Sequence, residues 1–316
     1  MNSQPANSAA DGTSGESAEF FPGLRRMDVA AGGVRFAGAI GGSGPSLLLL
    51  HGYPQAHIAW RKVAPMLAER FTLVIPDLPG YGASKTQTTS PRWTKRRSAS
   101  ALVSLMRKLG FEQFALAGHD RGARIGYRLV LDHPGVVTRF ATLAVIPTLH
   151  AMERVDYRYA HKSYHWFLLS QPADLPERLL SAAPDAVIDA AFAAMKADGH
   201  DVIEPRAREA YRRAFRNPEV RHAICEDYRS AVEEDLIHDR ADQKVGRKLD
   251  CPVLVITPEA ASEPPSPAEI WRLWADDVTA STTNGDHLML EDRSHQVGPA
   301  LLKFFGGASA ELASRL

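Results

Sequence analysis

The chain has 316 residues, of which 45% are hydrophobic, and its 37 basic side chains are balanced by 37 acidic ones. A chain of this length can bury one sizeable core, and the neutral charge balance disfavours nucleic acid and anionic membrane surfaces as partners. Its two cysteines, Cys225 and Cys251, are too few for a disulfide framework, and no apolar run approaches the ~20 residues of a membrane span.

Residues 1–20 are rich in Ser, Ala, Asn and Gly, and they include neither a basic start nor an apolar stretch. This composition predicts a disordered tail and argues against a signal peptide. Together with the small number of cysteines, it predicts a cytoplasmic protein.

Short apolar segments that alternate with helix-like segments follow the tail. Runs that are apolar at nearly every position are typical of strands that are buried on both faces of a sheet. Such runs occur at 46–50, 71–76, 114–117, 139–146 and 252–257, and a last strand is predicted at 278–283. Helices are predicted at 98–109, 122–133 and 267–276. The alternation predicts an α/β fold with a doubly wound, mostly parallel sheet.

The alternation stops between residues 147 and 246. That stretch is helical in composition, rich in aromatic residues and His, and too long for a structureless loop. It predicts a helical cap subdomain inserted between two parts of one core, residues 21–146 and 247–306. The small and polar residues 307–316 predict a C-terminal tail.

The strongest chemical motif is Gly118-His-Asp-Arg-Gly122, which stands between a predicted strand and a predicted helix. A nucleophile flanked at two residues' distance by small residues is typical of the sharp turn called the nucleophile elbow. Its centre is Asp120, whose carboxylate can attack carbon directly and form an ester. The alternative is that Asp120 only caps the following helix. The surrounding motifs favour the nucleophile.

Two further strand ends carry motifs that suit this chemistry. His51-Gly-Tyr53-Pro54 follows the first buried run, and backbone N–H groups at such a turn can form an oxyanion hole, although an ordinary turn has the same composition. This makes Tyr53 a candidate oxyanion-hole or pocket residue. His287 follows the last predicted strand, where this topology places the general base.

Taken together, these motifs resemble those of α/β-hydrolases, and an Asp nucleophile narrows the resemblance to epoxide hydrolases and dehalogenases. Asp120-Arg-Gly-Ala-Arg124, Tyr164-His165-Trp166 and Cys225-Glu-Asp-Tyr228 are similar to motifs of fluoroacetate dehalogenases. The resemblance covers residues 21–305. It implies an α/β-hydrolase fold with a helical cap and hydrolytic dehalogenation of short 2-haloacids such as fluoroacetate. It also implies a small haloacid as the partner, no metal or organic cofactor, and a homodimer.

Arg121 and Arg124 stand in the first turn of the helix after the nucleophile. Cations are unfavourable at a helix N-terminus, so a purely structural role gains little from two of them there. A site for the carboxylate of a substrate gains two guanidinium donors as well as the helix dipole. The alternative is that both are surface arginines paired with nearby acids.

The resemblance also implies that His165, Trp166 and Tyr228 hold the departing halide. Trp N–H and Tyr O–H groups are donors suited to a small anion in a dry pocket. The alternative is that these aromatic residues form the core of the cap, which is the interpretation we favour for Tyr164.

The sequence departs from the family at the acid that should orient His287. The resemblance implies an Asp after the strand that follows the nucleophile helix, and Ala144 occupies that position. Other α/β-hydrolases place the acid after the next strand, where Glu259 is the first candidate and Glu263 the second. Leu149 and Ala151 replace residues that are commonly aromatic in the family, which predicts a larger pocket.

Two alternative functions remain open. An epoxide hydrolase shares the nucleophile and the base, and it needs cap tyrosines to protonate the epoxide oxygen; Tyr157, Tyr159 and Tyr228 are candidates. The arginine pair argues against it, because an epoxide has no carboxylate. The second alternative is a degenerate hydrolase that binds small carboxylates with weak turnover, and it is motivated by Ala144.

Overall fold

The structure is a computed structural model that describes residues 19–196, 201–261 and 264–313. Its centre is one sheet of nine strands, in the order β1-β2-β4-β3-β6-β7-β8-β9, with β5 beside β2. The strands are β1 Arg25–Ala31, β2 Val34–Gly42, β3 Ser46–Leu50, β4 Thr72–Pro76, β5 Lys85–Thr86, β6 Phe114–His119, β7 Val137–Leu143, β8 Val253–Pro258 and β9 Val278–Thr283. The neighbouring strands in the series β4-β3-β6-β7-β8-β9 are parallel, whereas β2 pairs antiparallel with β1, β4 and β5. The predicted mostly parallel sheet is confirmed.

Two strands at one edge of the sheet, β1 and β2, were missed by the sequence analysis, which began the sheet at residue 46. In β1 only Met27 is buried, and the other positions are exposed or half-buried. An antiparallel edge strand of this kind is not a continuous apolar run, because one of its faces meets water. The search for apolar runs therefore could not find it.

Helices cover the sheet and form the cap. They are α1 Ala64–Ala68, α2 Lys95–Lys108, α3 Arg121–Asp132, α4 Thr148–Glu153, α5 Tyr157–Lys162, α6 Tyr164–Leu169, α7 Leu175–Ala182, α8 Pro184–Ala194, α9 Pro205–Arg216, α10 Pro218–Ser230, α11 Leu236–Lys244, α12 Pro267–Arg272, α13 Met289–Asp292 and α14 Ser294–Ala313. In the described part of the chain, no helix combines the length and the apolar composition needed to cross a bilayer.

Helices α4 to α11 lie between the end of β7 and the start of β8, and the described residues from 147 to 246 form no strand. This agrees with the predicted helical insertion. At the C-terminus the helix α14 continues to Ala313, beyond the predicted start of a tail at residue 307. Ala, Glu and Leu in that segment have high helix propensity, which favours a helix despite the small side chains there. At the N-terminus the predicted tail reaches Phe20, which is buried; residues 1–18 lie outside the described ranges.

Buried polar contacts hold the cap on the core next to the loop that follows β9. Glu291, which is buried, accepts hydrogen bonds from Arg61 at 2.7 Å and from the cap residue Tyr211 at 2.9 Å. Lys196, at the end of α8, pairs with Asp292 at 2.7 Å. Breaking a buried ion pair leaves an uncompensated charge, which is costly, so these contacts hold the cap in its position on the core.

Strand β6 passes into α3 through a turn with no spare room. A Cβ on Gly118 would lie 2.6 Å from the backbone of Ala123, and a Cβ on Gly122 would lie 2.5 Å from the carbonyl oxygen of His51. Both positions therefore exclude any side chain, and the two glycines let α3 pack directly against the ends of β3 and β6.

We expect Gly118→Ala to lower the free energy of unfolding by about 1–3 kcal/mol, because the backbone of the turn must move to admit one methyl group. The matched control is Gly307→Ala in α14, where the added Cβ meets no atom within 4 Å. That change should be neutral or stabilising by about 0.4–1 kcal/mol. Urea denaturation of both variants measures the difference, and equal stabilities would contradict the tight turn.

Candidate active site

Asp120 occupies the turn between β6 and α3 with φ of 48° and ψ of −113°, a conformation that non-glycine residues rarely adopt. Its side chain makes no capping hydrogen bond to α3, which removes the simple helix-cap interpretation. Instead, Oδ1 accepts a hydrogen bond from the backbone N–H of Tyr53 at 2.9 Å. The other oxygen, Oδ2, lies 3.7 Å from Nε2 of His287. The strained backbone thus aims the carboxylate at both residues.

The charge state of Asp120 suits a nucleophile. Burial alone raises the pKa of this carboxyl, but His287 and Arg121, with smaller contributions from His119 and Arg124, outweigh burial and lower the pKa to about 2. The carboxylate is therefore ionised at neutral pH.

His287 lies on the loop after β9 and is half-buried. Burial lowers its pKa below the ordinary value, although the neighbouring Asp120 opposes that shift. The imidazole is therefore neutral near neutral pH, which is the form that can take a proton from water.

His119, whose role the sequence analysis did not identify, supports this loop. Its Nε2–H donates to the backbone oxygen of His287 at 2.8 Å, and the two rings lie 5.0 Å apart. Burial lowers the pKa of His119 to about 4, so it adds no charge beside the base. Its position directly before Asp120 was the only sequence signal for this contact.

The structure does not bring the proposed acid to His287. Glu259 begins an exposed 3-10 turn after β8, and among the described residues it forms neither a hydrogen bond nor an ion pair with His287. Glu263 lies outside the described ranges. Ala144, at the end of β7, is half-buried with φ of 63°, and its N–H donates to the carbonyl of Ile256 at 2.9 Å.

Arg121 is fully buried, so it is not a surface arginine. Its Nε donates to Oδ2 of Asp227 at 2.6 Å, and its Nη2 donates to the backbone oxygen of Asp227 at 2.8 Å. The remaining nitrogen, Nη1, is buried and has no hydrogen-bond partner in the described structure. An unpartnered buried N–H is costly, and a substrate oxygen would satisfy it.

Arg124 is buried as well, with 4% of its surface exposed. Its Nη1 donates to the carbonyl of Ile146 at 3.1 Å and to the hydroxyl of Thr148 at 3.0 Å. Its Nε has no partner in the described structure, and no described carboxylate forms an ion pair with it. Arg124 is therefore held by neutral acceptors and not by an ion pair in the described structure.

The three candidate halide residues lie together with Tyr53 in an aromatic cluster. The Trp166 and Tyr228 rings are 5.0 Å apart and nearly perpendicular, and His165 stacks on Tyr53 at 5.4 Å. Tyr53 and His165 each lie edge to face with Tyr228, at 5.4 and 5.8 Å. Tyr164, which we expected in the core of the cap, is 40% exposed, because the short helix α6 turns His165 and Trp166 inward instead.

The same rings contact both arginines. The guanidinium of Arg121 lies 4.2 Å from the centre of the Tyr228 ring and 4.8 Å from that of Trp166, and Arg124 lies 5.0 Å from Trp166. Burial lowers the pKa of His165 to about 4 and raises the pKa of Tyr228, so both are neutral. The arrangement places neutral ring donors and cations beside an ionised carboxylate.

The tyrosines proposed for epoxide opening separate into two groups. Tyr157 is 76% exposed and lies away from the cluster. Burial raises the pKa of Tyr159, the charge of Arg124 lowers it, and the charge of Asp120 raises it. Tyr159 is therefore close enough to the site for both charges to act on it. Leu149 and Ala151, where we expected smaller residues to enlarge the pocket, are both buried.

One group of side chains in the described ranges has the spacing of a metal site, and it lies in the cap. Ligand atoms of Glu177, His222 and Glu226 lie within 4.8 Å of one another. Nη1 of Arg229 donates to Glu177 at 2.8 Å and to Glu226 at 2.6 Å. Because this cation already occupies the space between the carboxylates, the group is an ion-pair cluster.

Comparison with known proteins gives a consistent family. Residues 45–286 match the family described as alpha/beta hydrolase fold. A fluoroacetate dehalogenase from Burkholderia sp is 42% identical over 243 residues, which are 76% of this chain and 79% of that protein. A soluble epoxide hydrolase from Corynebacterium sp. is 38% identical over 37% of this chain and 40% of that protein.

A solved structure from Pseudomonas aeruginosa, provisionally described as an epoxide hydrolase, is 46% identical. It superposes with a TM-score of 0.88 and covers 90% of this chain and 96% of that one. A mutant of that protein has also been solved with bound MFA. The chain thus resembles proteins whose names point to two reactions, dehalogenation and epoxide opening.

Proposed function

The chain belongs to the alpha/beta hydrolase fold family, and we propose that this hydrolase releases halide from short 2-haloacids such as fluoroacetate. The observation that carries the proposal is the contact of Arg121 with Trp166 and Tyr228, and of Arg124 with Trp166, next to Asp120. A substrate held there offers a carboxylate to the arginines and a halogen to the ring donors. An epoxide without a carboxylate offers no anionic group for the arginines to bind.

In the first step Asp120 attacks the carbon that bears the halogen. The carboxylate is already ionised, so no base is needed. The carbon–halogen bond breaks as the ester bond forms, and the halide leaves toward N–H and O–H donors of His165, Trp166 and Tyr228. Fluoride is a poor leaving group, so donors that meet its developing charge lower the barrier most.

In the second step water hydrolyses the ester. Neutral His287 takes a proton from water, which attacks the carboxyl carbon of Asp120. The oxyanion forms at Oδ1, which already accepts the backbone N–H of Tyr53 at 2.9 Å, so that N–H serves as an oxyanion-hole donor. The tetrahedral intermediate collapses, the bond to the substrate oxygen breaks, and the alkoxide takes the proton back from His287 and leaves as the hydroxy acid. Asp120 is regenerated with one oxygen from water. Neither step calls for a metal or an organic cofactor.

We expect Asp120→Asn to abolish halide release, because an amide is a poor nucleophile, while the Tyr53 hydrogen bond to Oδ1 survives. A single turnover of the parent protein in heavy-oxygen water should label Asp120 before it labels the product. Mass spectrometry of the peptide that contains Asp120 and of the released hydroxy acid measures both. Label in the product at the first turnover would mean direct attack by water.

Trp166→Phe should damage defluorination far more than debromination. Losing one hydrogen bond to a charged group costs about 1.5–3 kcal/mol, or roughly 10–150-fold in rate, and fluoride depends on it most. Halide release from fluoroacetate and bromoacetate gives the ratio. Tyr164→Phe, on the exposed side of the same helix, is the control and should change neither rate. A uniform loss across halogens would show that Trp166 only packs.

The lack of an acidic side chain at Ala144 should affect the two chemical steps differently. Alkylation of Asp120 needs no base, whereas hydrolysis of the ester needs His287 held in one tautomer and stabilised as imidazolium. The backbone of Ala144, with φ of 63°, already has the left-handed conformation that Asp adopts more readily than Ala does. An Asp at this position therefore requires no rearrangement of the backbone.

We expect the parent protein to show a burst of halide stoichiometric with its active sites, followed by slow turnover and accumulation of alkylated Asp120. Ala144→Asp should remove the burst and speed the steady state. Activity in the second step rises as pH rises through the lowered pKa of His287, and a new carboxylate should move that limb to higher pH. Rapid-quench kinetics and intact mass across pH measure these effects.

Glu259 provides the contrasting outcome. If Glu259 supports His287 after all, the parent protein turns over without a burst and Glu259→Gln creates one. Because Glu259 is exposed and does not contact His287, we expect Glu259→Gln to change nothing. Steady turnover that is insensitive to both positions would require another group to support His287.

A specific observation also favours epoxide opening as a second candidate. Tyr228 and Tyr159 both lie within the electrostatic field of Asp120, and two protonated phenols beside the nucleophile suit the protonation of an epoxide oxygen. Halide release from fluoro-, chloro- and bromoacetate, compared with opening of styrene oxide, separates the reactions. Turnover of styrene oxide without any halide release would replace the dehalogenase proposal.

A further inference from the structure

The two arginines of the site differ in charge compensation. Arg121 donates through Nε and Nη2 to Asp227, and Asp227 also accepts the hydroxyl of Tyr81 at 2.8 Å. Burial alone would raise the pKa of Asp227, but Arg121 and Lys95 outweigh it and hold the pKa well below the usual range. Asp227 is therefore ionised, and its negative charge cancels that of Arg121.

Lys95, behind Asp227, has a carboxylate of its own. Its ammonium contacts Asp227 and lies 3.8 Å from Oδ2 of Asp235, whose Oδ1 accepts the backbone N–H of Lys95 at 3.0 Å. Both side chains are almost fully buried. The two cations and two anions of this cluster, Arg121, Lys95, Asp227 and Asp235, thus sum to zero net charge.

Among the described residues Arg124 has no such ion pair, although its charge acts on the ionised carboxyl of Asp120. Its Nη1 is held by two neutral acceptors, the carbonyl of Ile146 and the hydroxyl of Thr148, and no described carboxylate forms an ion pair with it. A buried charge that neutral groups hold keeps its long-range attraction for an anion, because little water is present to screen it.

We propose that the two arginines perform different tasks, and this inference rests on the proposed function. Arg124 supplies the charge that selects an anionic substrate over its neutral analogue. Arg121, whose charge is neutralised by the positioning residue Asp227, orients the substrate instead, since Nη1 is its one nitrogen without a hydrogen-bond partner in the described structure. The acid-over-amide preference of the site therefore depends on Arg124, and the charge of Asp227 sets how much Arg121 can add to it.

The test measures binding and not turnover, so that it separates from the dehalogenase proposal. All proteins carry Asp120→Asn, which prevents alkylation. Fluorine NMR titrations give the dissociation constants of fluoroacetate and fluoroacetamide, which differ in charge but little in shape. Binding of the neutral amide reports that the site is folded in each variant, and the ratio of the two constants reports how strongly the site reads charge.

We expect Arg124→Gln to lower the preference for fluoroacetate by roughly tenfold or more, as expected for the loss of a charge-assisted contact, with little change for the amide. Arg124→Lys should retain most of the preference, because it keeps the charge. Removing the neutral pair with Arg121→Gln and Asp227→Asn together should weaken both ligands similarly and leave the preference nearly intact.

The sharpest comparison adds Asp227→Asn to Arg124→Gln. Arg121 then loses its counter-charge, so part of the lost acid preference should return. A purely structural role for Asp227 predicts a further loss instead. The matched control is Asp242→Asn in the same Arg124→Gln background. Asp242 is a buried acid that pairs with Arg128 at 2.5 Å and with Arg247 at 3.2 Å. Asp132 stays 3.0 Å from Arg128 and 3.7 Å from Arg247, so both cations keep a counter-charge and no preference should return.

The outcomes distinguish the two proposals. Equal loss of preference in Arg124→Gln and in the Arg121→Gln, Asp227→Asn pair would show that the arginines share the task, and the inference would be wrong. No recovery on adding Asp227→Asn would overturn it as well. Failure of the parent protein to release halide, with the binding pattern intact, would instead remove dehalogenation while the division of tasks stands.

Discussion

The hydrogen bond from the Tyr53 backbone N–H to Asp120 is the contact on which the site depends. It joins the ends of β3 and β6, and it exists because Asp120 adopts a left-handed backbone between two glycines that leave no room for a side chain. The strain is local, and the packed sheet and α3 hold it in place. The same geometry prepares an oxyanion-hole donor for the second step of the proposed reaction.

Around that carboxylate, burial sets the charge states of its neighbours. His119, His165 and His287 are all kept neutral by loss of water, whereas the arginines stay charged. The site therefore combines neutral imidazole groups with cations, a combination that burial favours. The cap contributes His165 to this environment, and the buried contacts of Glu291 and Lys196 hold the cap against the core.

The conformation of Ala144 is compatible with the acid that the family resemblance implies. The turn after β7 has a left-handed conformation that suits Asp, although the side chain of Ala144 is a methyl group. The proposed alkylation needs only Asp120 and the anion-binding groups, so it is independent of that position. In the proposed reaction, hydrolysis of the ester is the step that a carboxylate at this position would support, because only that step protonates His287.

Sequence alone determined the features that are local in the chain. The run at 46–50 matches β3 in its bounds, because continuous burial leaves a local pattern, and the elbow was identifiable from five residues. The strand predicted at 278–283 matches β9 in its bounds as well, although only Thr283 in it is buried. Contacts between distant residues needed the tertiary structure. Arg121 and Asp227 are 106 residues apart, so no local pattern could show that one arginine is neutralised and the other is not. The exposure of Glu259 was likewise decided by the tertiary structure, because the spacing of residues in the sequence does not encode it.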